Sequence, residues 1–386
     1  MKTNQEYLKI FSAIEEVLPQ IAARTDEIEG LRRLPADIAQ TLKNTGIFAM
    51  NFPASWGGAE LNSMEQTKLI ERIAEVDAAL AWCVMIGSDS GIYSGYLEEA
   101  VAKKLFKDVN VITAGWIHPQ GKAERVDGGY LVSGRWRFGS GISNSDLVSA
   151  GCYIYEDGEK ITDADGEPIW RVMIAQPNEY QVDDGWHTTG LQGSGSLDYS
   201  ADQLFIPEEH SFSFSEPYRK GPLHDAPEAI LRNMSGVPLG ISRAAINFAK
   251  SLAEKKFDRT LNVPWIDSPR VQTIIARCEA DLLAARGAVY CSLEQQWNAL
   301  ESSSQLSVEL RFATAVARFN AFKTCRNIVQ QIYDLVGGQS IYKNESPLDK
   351  WLRDANTICQ HAVAQESILT ASGELLLKGE SRNPFI

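Results

Sequence analysis

Residues Gly128–Gly151 read GGYLVSGRWRFGSGISNSDLVSAG, and this stretch decides the fold class. Val, Leu, Tyr, Trp and Phe fill its apolar runs, and Gly, Asp and Asn separate them, which is typical of short β-strands joined by turns. Similar runs flank it: VITAGW, LVSAGCYIY and IWRVMIAQ. We therefore predict a block of antiparallel strands over residues 110–210.

Helical spacing surrounds this block on both sides. Apolar residues recur every three or four positions before it, as in Leu34, Ile38 and Leu42. The same spacing returns after it, as in Val271 and Cys278. Such spacing predicts amphipathic helices. At 386 residues the chain is long enough for two or three domains. Because no unit of 20 to 50 residues repeats, we expect an α+β, mainly α protein rather than a solenoid or propeller.

Two segments interrupt the helices. FPASWGGAE (Phe52–Glu60) contains a Pro and paired glycines, which predict a loop. LVGGQSIYKNESPLDK (Leu335–Lys350) separates two long helical patterns and is too long for a minimal helix-helix turn. Both are places where backbone groups become available for binding.

Charge and composition exclude several classes of protein. The formal net charge of −13 argues against nucleic acid, which is bound by clustered Lys and Arg. No apolar run approaches the length that spans a bilayer, and the N-terminus lacks the pattern of a signal peptide. The six cysteines are scattered, without metal-binding spacing. We expect a cytoplasmic protein with reduced thiols and no metal site.

Four motifs in order resemble the acyl-CoA dehydrogenase superfamily over essentially the whole chain. They are GIFAMNFPASWGGAE, the stretch Gly128–Gly151, GLQGSGSLDYSADQLFIPEEH and LVGGQSIYKNESPLDKWLRDANTICQH. The resemblance implies an N-terminal helical domain (residues 1–108), a middle antiparallel β-barrel or sandwich domain (109–215) and a C-terminal four-helix bundle (216–386). It also implies a bound flavin and a homotetramer.

The family's two branches differ in a catalytic base. In the dehydrogenases a glutamate removes a proton from an acyl thioester, and the two expected positions fall at Ala362 and near Ile230. Neither is Glu, although Glu366 and Glu228 lie close enough to serve in an acyl-CoA dehydrogenase, which stays the alternative. RDANTICQH instead resembles the two-component aromatic monooxygenases.

The monooxygenase resemblance implies hydroxylation of a phenolic or indolic ring through a C4a-hydroperoxyflavin formed from reduced flavin and O2. His361 is the implied base, since an unperturbed imidazole takes up a proton near neutrality. Asp354 lies seven residues earlier, so we expect it on the same face of one helix. Ser140 is the third catalytic candidate, as a donor to the N5 side of the flavin, with Ser143 and Ser145 as alternatives.

The resemblance also assigns binding residues. Trp136 is expected to pack against the isoalloxazine, unless it is a core residue of the strand. The expected flavin-binding residues are Trp136, Phe138, Ser140, Gly141, Gly193, Ser194, Gly337, Gly338 and Arg353. The expected substrate-binding residues are Trp82, Asp89, Tyr93, Trp116 and His118, whose mixture of aromatic and polar groups suits a planar ring. Core packing explains Trp82 and Trp116 equally well.

No dinucleotide-binding glycine motif or P-loop is present, so the chain lacks the usual means of binding NAD(P)H. A separate NAD(P)H-dependent flavin reductase is therefore the expected partner, delivering reduced FAD or FMN. A flavin-free relative that only binds partners is the remaining class, because a fold does not by itself specify function.

Overall fold

The computed structural model describes residues 4–303 and 305–386. Helices occupy both ends of the chain. They are α1 (Gln5–Ala22), α2 (Thr25–Leu31), α3 (Ala36–Asn44), α4 (Ser63–Ala74), α5 (Ala78–Gly87), α6 (Ser90–Tyr93), α7 (Glu99–Leu105), α8 (Gly236–Leu252), α9 (Pro269–Ser303), α10 (Val308–Val336), α11 (Leu348–Ile358) and α12 (Glu366–Lys378). FPASWGGAE lies outside these helices, and the interruption predicted within Leu335–Lys350 falls between α10 and α11, at residues 337–347.

Strands occupy the middle. They are β1 (Thr113–Val126), β2 (Gly129–Gly139), β3 (Leu147–Glu156), β4 (Glu159–Lys160), β5 (Trp170–Ala175), β6 (Gln181–Asp183), β7 (Leu197–Pro207) and β8 (Ser211–Phe212), followed by the short pair β9 (Phe257–Asp258) and β10 (Val263–Pro264). The predicted order of helices, sheet and helices is confirmed.

The main sheet has the order β6-β7-β2-β1-β3-β5-β8, with β4 beside β3. Its pairs are antiparallel except β1 and β3, which run parallel, so the prediction of a purely antiparallel block is wrong for this pair. The cause is the connection after β2: residues 140–146 pass Ile112, just before β1, where Asp146 and Leu147 donate backbone N–H groups to the Ile112 carbonyl. The chain thereby reaches the free edge of β1.

The chain forms two compact units. The first comprises residues 4–61, 83–187 and 192–230 and contains the main sheet. The second comprises residues 62–82, 188–191 and 231–386, with residue 304 outside the described part, and contains the long helices. The three-domain division after residues 108 and 215 stays a prediction.

Close helix packing organises the second unit. Asn62 and Glu65 form a reciprocal capping box that starts α4. α8 then packs on α4 through glycine: a Cβ at Gly240 would lie 2.2 Å from the carbonyl oxygen of Glu71. α10 packs against α8, α9, α11 and α12. Within the described ranges, no helix combines the length and apolar character that crossing a bilayer requires.

Candidate functional site

The end of β2 carries two aromatic side chains, Trp136 and Phe138, in different surroundings. Trp136 is fully buried, stacks on Tyr199 with ring centroids 5.5 Å apart, and donates its indole N–H to the Gly151 carbonyl at 2.8 Å. Its other side is covered, because a Cβ at Gly121 would lie 2.2 Å from the Trp136 ring. Trp136 is therefore a core residue of the first unit, and the expectation that it packs against a flavin is corrected.

Phe138 is the exposed ring instead. Strand alternation places residues 136 and 138 on one face, but Phe138 has φ +63° and lies at a register shift between β2 and β7, which reverses its direction. Its side chain is 45% exposed. A bulky residue with positive φ is strained, and such outliers are concentrated at functional sites.

Two tryptophans flank Phe138 and complete an aromatic platform, defined here as Trp116, Phe138 and Trp186. The ring centroid of Phe138 lies 5.5 Å from that of Trp116 and 6.2 Å from that of Trp186. Arg32 holds the Trp186 loop by donating to the Trp186 carbonyl and pairing with Asp184. Trp186 was not among the binding residues expected from the sequence. A Trp in the polar, Gly-containing loop DDGWHTTG is nevertheless a detectable signal of a binding residue.

Next to the platform, three buried hydroxyls form a chain. The Ser140 Oγ lies 2.8 Å from the Ser196 Oγ, which lies 2.7 Å from the Ser194 Oγ. The Gly141 N–H donates to the Ser194 carbonyl, so the loop after β2 is tied to the short helical turn Gln192–Ser194. Gly193 is buried in this turn. Ser196 was missed, since it lies in a GSGS run that looks like an ordinary turn.

The two alternative serines have other surroundings. Ser143 is exposed to solvent, and the Ser145 hydroxyl donates to the Ile142 carbonyl. Ser140 is therefore the serine of this loop that a hydroxyl network orients.

The polar substrate candidates of the first unit separate into a buried and an exposed set. Asp89 and Tyr93 are 4% and 5% exposed, whereas His118 is exposed in β1, within its register shift between Trp116 and Gly121. Trp116 is half-buried, and its backbone N–H donates to the Tyr199 hydroxyl at 2.7 Å. Burial raises the pKa of the Asp89 carboxyl well above its usual range.

His361 lies in the second unit, outside any α-helix. α11 ends at Ile358, and His361 has extended backbone (φ −64°, ψ 149°) as the residue before the helical turn Ala362–Ala364. The prediction that His361 and Asp354 share a helix face is therefore wrong. The His361 ring packs edge to face on Trp82 at 5.4 Å between centroids, and its Nδ1 accepts the Val363 N–H at 3.4 Å.

The surroundings of His361 also change its acid-base character. Burial and the positive charge of Arg318 lower the pKa of His361 to about 4. The imidazole is therefore neutral at pH 7 and a weaker base than the sequence analysis assumed. Since Nδ1 accepts a hydrogen bond, the neutral ring carries its proton on Nε2 and can donate it.

Asp354 belongs to a buried charge cluster rather than to His361. Lys350 Nζ lies 2.9 Å from a carboxylate oxygen of both Asp77 and Asp354. Asp354 also accepts the Leu191 N–H at 2.6 Å, and Asp77 accepts the Leu80 N–H at 2.8 Å. Burial acts to lower the pKa of Lys350, but the two carboxylates outweigh it and raise that pKa. The cluster connects α11, α5 and residues 188–191.

Arg353 and the glycines near it have structural contacts. Arg353 pairs with Asp349 at 2.9 Å and donates to the Thr189 carbonyl. Gly190 fits against α11 only without a side chain, since a Cβ there would lie 2.2 Å from the Arg353 carbonyl oxygen. Gly337, with φ +71°, ends α10 by donating its N–H to Tyr333, and Gly338 next to it is exposed.

The glutamates of the dehydrogenase alternative differ in placement. Glu366 is exposed at the first position of α12, and Glu228 is 5% exposed in the first unit. An exposed carboxylate lies outside the enclosed kind of site in which ligands are usually bound. Glu366 therefore has no structural feature that favours it.

The order of helices, mixed sheet and long helices defines the acyl-CoA dehydrogenase-like fold class. Two family models match the chain: the acyl-CoA dehydrogenase N-terminal domain over residues 10–106 and the acyl-CoA dehydrogenase C-terminal domain over residues 233–366. Together they span more than half of the sequence. The chain belongs to the acyl-CoA dehydrogenase family.

Individual relatives indicate the branch of the family. The chain is similar to an indole-3-acetate monooxygenase of Pseudomonas putida, 27% identical over 88% of this chain and 86% of that protein. It is also similar to HsaA of Mycobacterium tuberculosis, named as the oxygenase subunit of a flavin-dependent monooxygenase, 24% identical over 92% of this chain and 91% of that protein. The crystal structure of the HsaA monooxygenase from that organism superposes with a TM-score of 0.89 at 21% identity, covering 98% of this chain and all of that chain. The predicted resemblance to the monooxygenase branch is confirmed.

Proposed function

We propose that this chain is the oxygenase component of a two-component system that hydroxylates a phenolic or indolic ring with reduced flavin and O2. The observation that carries the proposal is the aromatic platform, in which a strained backbone exposes Phe138 between two tryptophans. An exposed aromatic ring such as Phe138 is costly in water and suits a planar cofactor. The indole-3-acetate monooxygenase relative supports the choice of ring.

In this proposal the first unit binds the isoalloxazine. Phe138 packs against the ring system, and the half-buried Trp116 beside it limits where it lies. Ser140 donates its hydroxyl hydrogen towards the N5 edge of the flavin. Because each hydroxyl has one hydrogen, Ser196 must then donate to Ser140, and Ser194 must donate to Ser196. The bound flavin supplies the redox chemistry with O2.

His361 acts in this proposal as a neutral imidazole. Its Nδ1 accepts the Val363 N–H, so the neutral ring carries its proton on Nε2. A neutral donor does not have to lose its proton at the pH where the enzyme works. This replaces the base that the sequence analysis assigned.

The second unit has an exposed backbone segment with a cation beside it. Gly338 is exposed after α10, and Lys256 Nζ donates to the Val336 carbonyl within the same segment. We propose that the exposed backbone N–H group of Gly338, with Lys256 near it, binds an anion such as a phosphate group. Exposed glycine N–H groups with a nearby cation are a common anion site.

A separate NAD(P)H-dependent reductase supplies the reduced flavin in this proposal. The chain has no dinucleotide-binding glycine motif, and its HsaA relative is named as an oxygenase subunit. We also propose a homotetramer in the cytoplasm. Leu283 and Leu377, 75% and 89% exposed on α9 and α12, are apolar surface of the kind that subunit contacts cover.

The test is a rapid-mixing experiment. Anaerobic protein with reduced FAD or FMN is mixed with O2, and the transient absorbance of an oxygenated flavin is expected, followed by a hydroxylated product when indole-3-acetate or a phenol is present. Ser140→Ala is expected to shorten the lifetime of that transient by about 10-fold or more, because one donor to the reacting group is lost.

Ser143→Ala is the matched control, since Ser143 lies in the same loop but is exposed. Immediate flavin oxidation without a transient in the parent protein, with no ring hydroxylated, contradicts the proposal. Bleaching of bound oxidised flavin by an acyl-CoA supports the dehydrogenase instead.

A further inference from the structure

Asp89 is a buried acid with an unpaired carboxyl oxygen in the part of the chain that the structure describes. It precedes α6 and is 4% exposed, yet it makes no side-chain cap to that helix. Its Oδ1 has no hydrogen-bond partner among residues 4–303 and 305–386. Its backbone is engaged: Asp89 N–H donates to the Ile86 carbonyl, and Tyr93 N–H donates to the Asp89 carbonyl.

Asp77 shows how the same chain pairs a buried aspartate that has a structural role. Asp77 is fully buried, caps the Leu80 N–H and pairs with Lys350 at 2.9 Å. An unpaired buried polar group destabilises the folded state, and the large majority of such groups in native proteins have partners. A missing partner at Asp89 therefore indicates a group that is supplied from outside the chain.

The surroundings of Asp89 indicate what that group is. Tyr93 lies one turn further on, and its ring packs against Phe212 at 5.5 Å and Phe214 at 6.4 Å. Burial raises the pKa of the Asp89 carboxyl, and burial together with the Asp89 charge raises the pKa of Tyr93, so the two side chains are neighbours. A carboxyl oxygen next to flat apolar surface suits a planar ring that carries its own hydrogen-bond donor.

We propose that Asp89 Oδ1 binds the N–H or O–H group on the aromatic ring of the substrate. The inference rests on the proposed function for the class of ligand and makes Asp89 its specificity-determining residue. Accepting this hydrogen bond moves electron density into the ring, which favours attack on an electrophilic oxygen. Rings that lack a donor are then poor ligands, because Oδ1 stays unpaired when they bind.

The test uses indole and benzofuran, which have nearly the same shape but differ in the N–H group. Binding to the full-length protein holding oxidised FAD or FMN is measured by calorimetry, without reductant. The parent protein is expected to bind indole about 10-fold to 100-fold more tightly than benzofuran. Asp89→Leu is expected to abolish this preference, and Asp89→Asn, which keeps an acceptor oxygen, to retain most of it.

Ser88→Ala is the matched control, since Ser88 is fully buried next to Asp89 but its hydroxyl donates to the Met85 carbonyl of α5. It is expected to keep the preference for indole. Thermal unfolding separates binding from folding: Asp89→Leu is expected to be at least as stable as the parent, because an unpaired buried carboxyl is removed. A structural aspartate would instead leave a less stable variant.

Equal affinity of the parent protein for the two ligands overturns the inference, as does an Asp89→Leu variant that loses affinity for both equally. These outcomes are distinct from failure of the proposed function. A protein that prefers indole through Asp89 but forms no oxygenated flavin retains the ring-donor site and loses the monooxygenase assignment.

Discussion

At the scale of single residues, one backbone dihedral decides which ring faces solvent. Regular alternation places Trp136 and Phe138 on the same side of β2, and the sequence gives no reason to separate them. The positive φ of Phe138 reverses its side chain, so that Trp136 stays in the core and Phe138 is exposed. The candidate residues were thus found from the sequence, but their roles required the strand's register shift.

Phe138→Ala is expected to weaken flavin binding by about 10-fold to 100-fold, because about 1.5–3 kcal/mol of apolar contact with the cofactor is lost. The measurement is a titration of the protein with reduced flavin under anaerobic conditions. Phe205→Ala is the matched control, since Phe205 is 48% exposed on β7 of the same sheet. Equal losses in the two variants contradict the role of the aromatic platform.

The lowered pKa of His361 predicts how the stability of the protein changes with pH. Its pKa is about 4 in the folded protein and 6.5 in its unperturbed state, so the unfolded chain binds the proton more readily between these values. The neutral ring therefore contributes stability above pH 6.5, and that contribution is lost as the pH falls towards 4.

The free energy of unfolding should thus decline less steeply in His361→Gln than in the parent between pH 6.5 and 4, as measured by urea denaturation. The hydroxylation rate should show no loss near pH 6.5 that is absent from the variant. A hydroxylation rate that halves near pH 6.5 in the parent, with a flat pH profile in His361→Gln, would instead support His361 as the catalytic base.

At the scale of elements, α11 organises its surroundings through both of its ends. The first turn supplies Lys350, and the helix then supplies Arg353 and Asp354, which hold residues 188–191. Its C-terminus stops without Gly or Pro, because the Gln365 amide donates to the Cys359 carbonyl at 2.9 Å. A helix end that depends on a residue of the following turn gives no local signal in the sequence. The helical pattern was therefore predicted to continue to His361.

Lys350→Met is expected to destabilise the protein by about 3–5 kcal/mol, because the carboxylates of Asp77 and Asp354 are left buried without their cation. Urea unfolding measures the change. Lys378→Met is the control: Lys378 forms the same i,i+4 type of pair, with Glu374 on α12, but is exposed, and its loss is expected to change stability by less than about 0.5 kcal/mol. A loss below about 1 kcal/mol for Lys350→Met would contradict the importance of the cluster.

At the scale of the whole molecule, the order of helices, sheet and helices could be predicted because apolar spacing is a local property of the chain. The parallel pair β1 and β3 could not, since it depends on the path of residues 140–146. The pKa of His361 could not either, because it depends on burial and on Arg318, a residue of a different helix. Local pattern thus specified the elements, and non-local contacts specified the chemistry of the candidate site.

The two compact units are interleaved along the chain: the first draws on three separate stretches, and so does the second. During synthesis on a ribosome, every segment of the first unit has been made once residue 230 has emerged, whereas the second unit waits for its last helices. Residues 62–82 and 188–191 must therefore stay unpaired until α10 and α11 arrive, in particular Asp77, which is without Lys350 for that interval. A chain cut at any one peptide bond between the units would leave at least one unit incomplete. The two units therefore have to be expressed together.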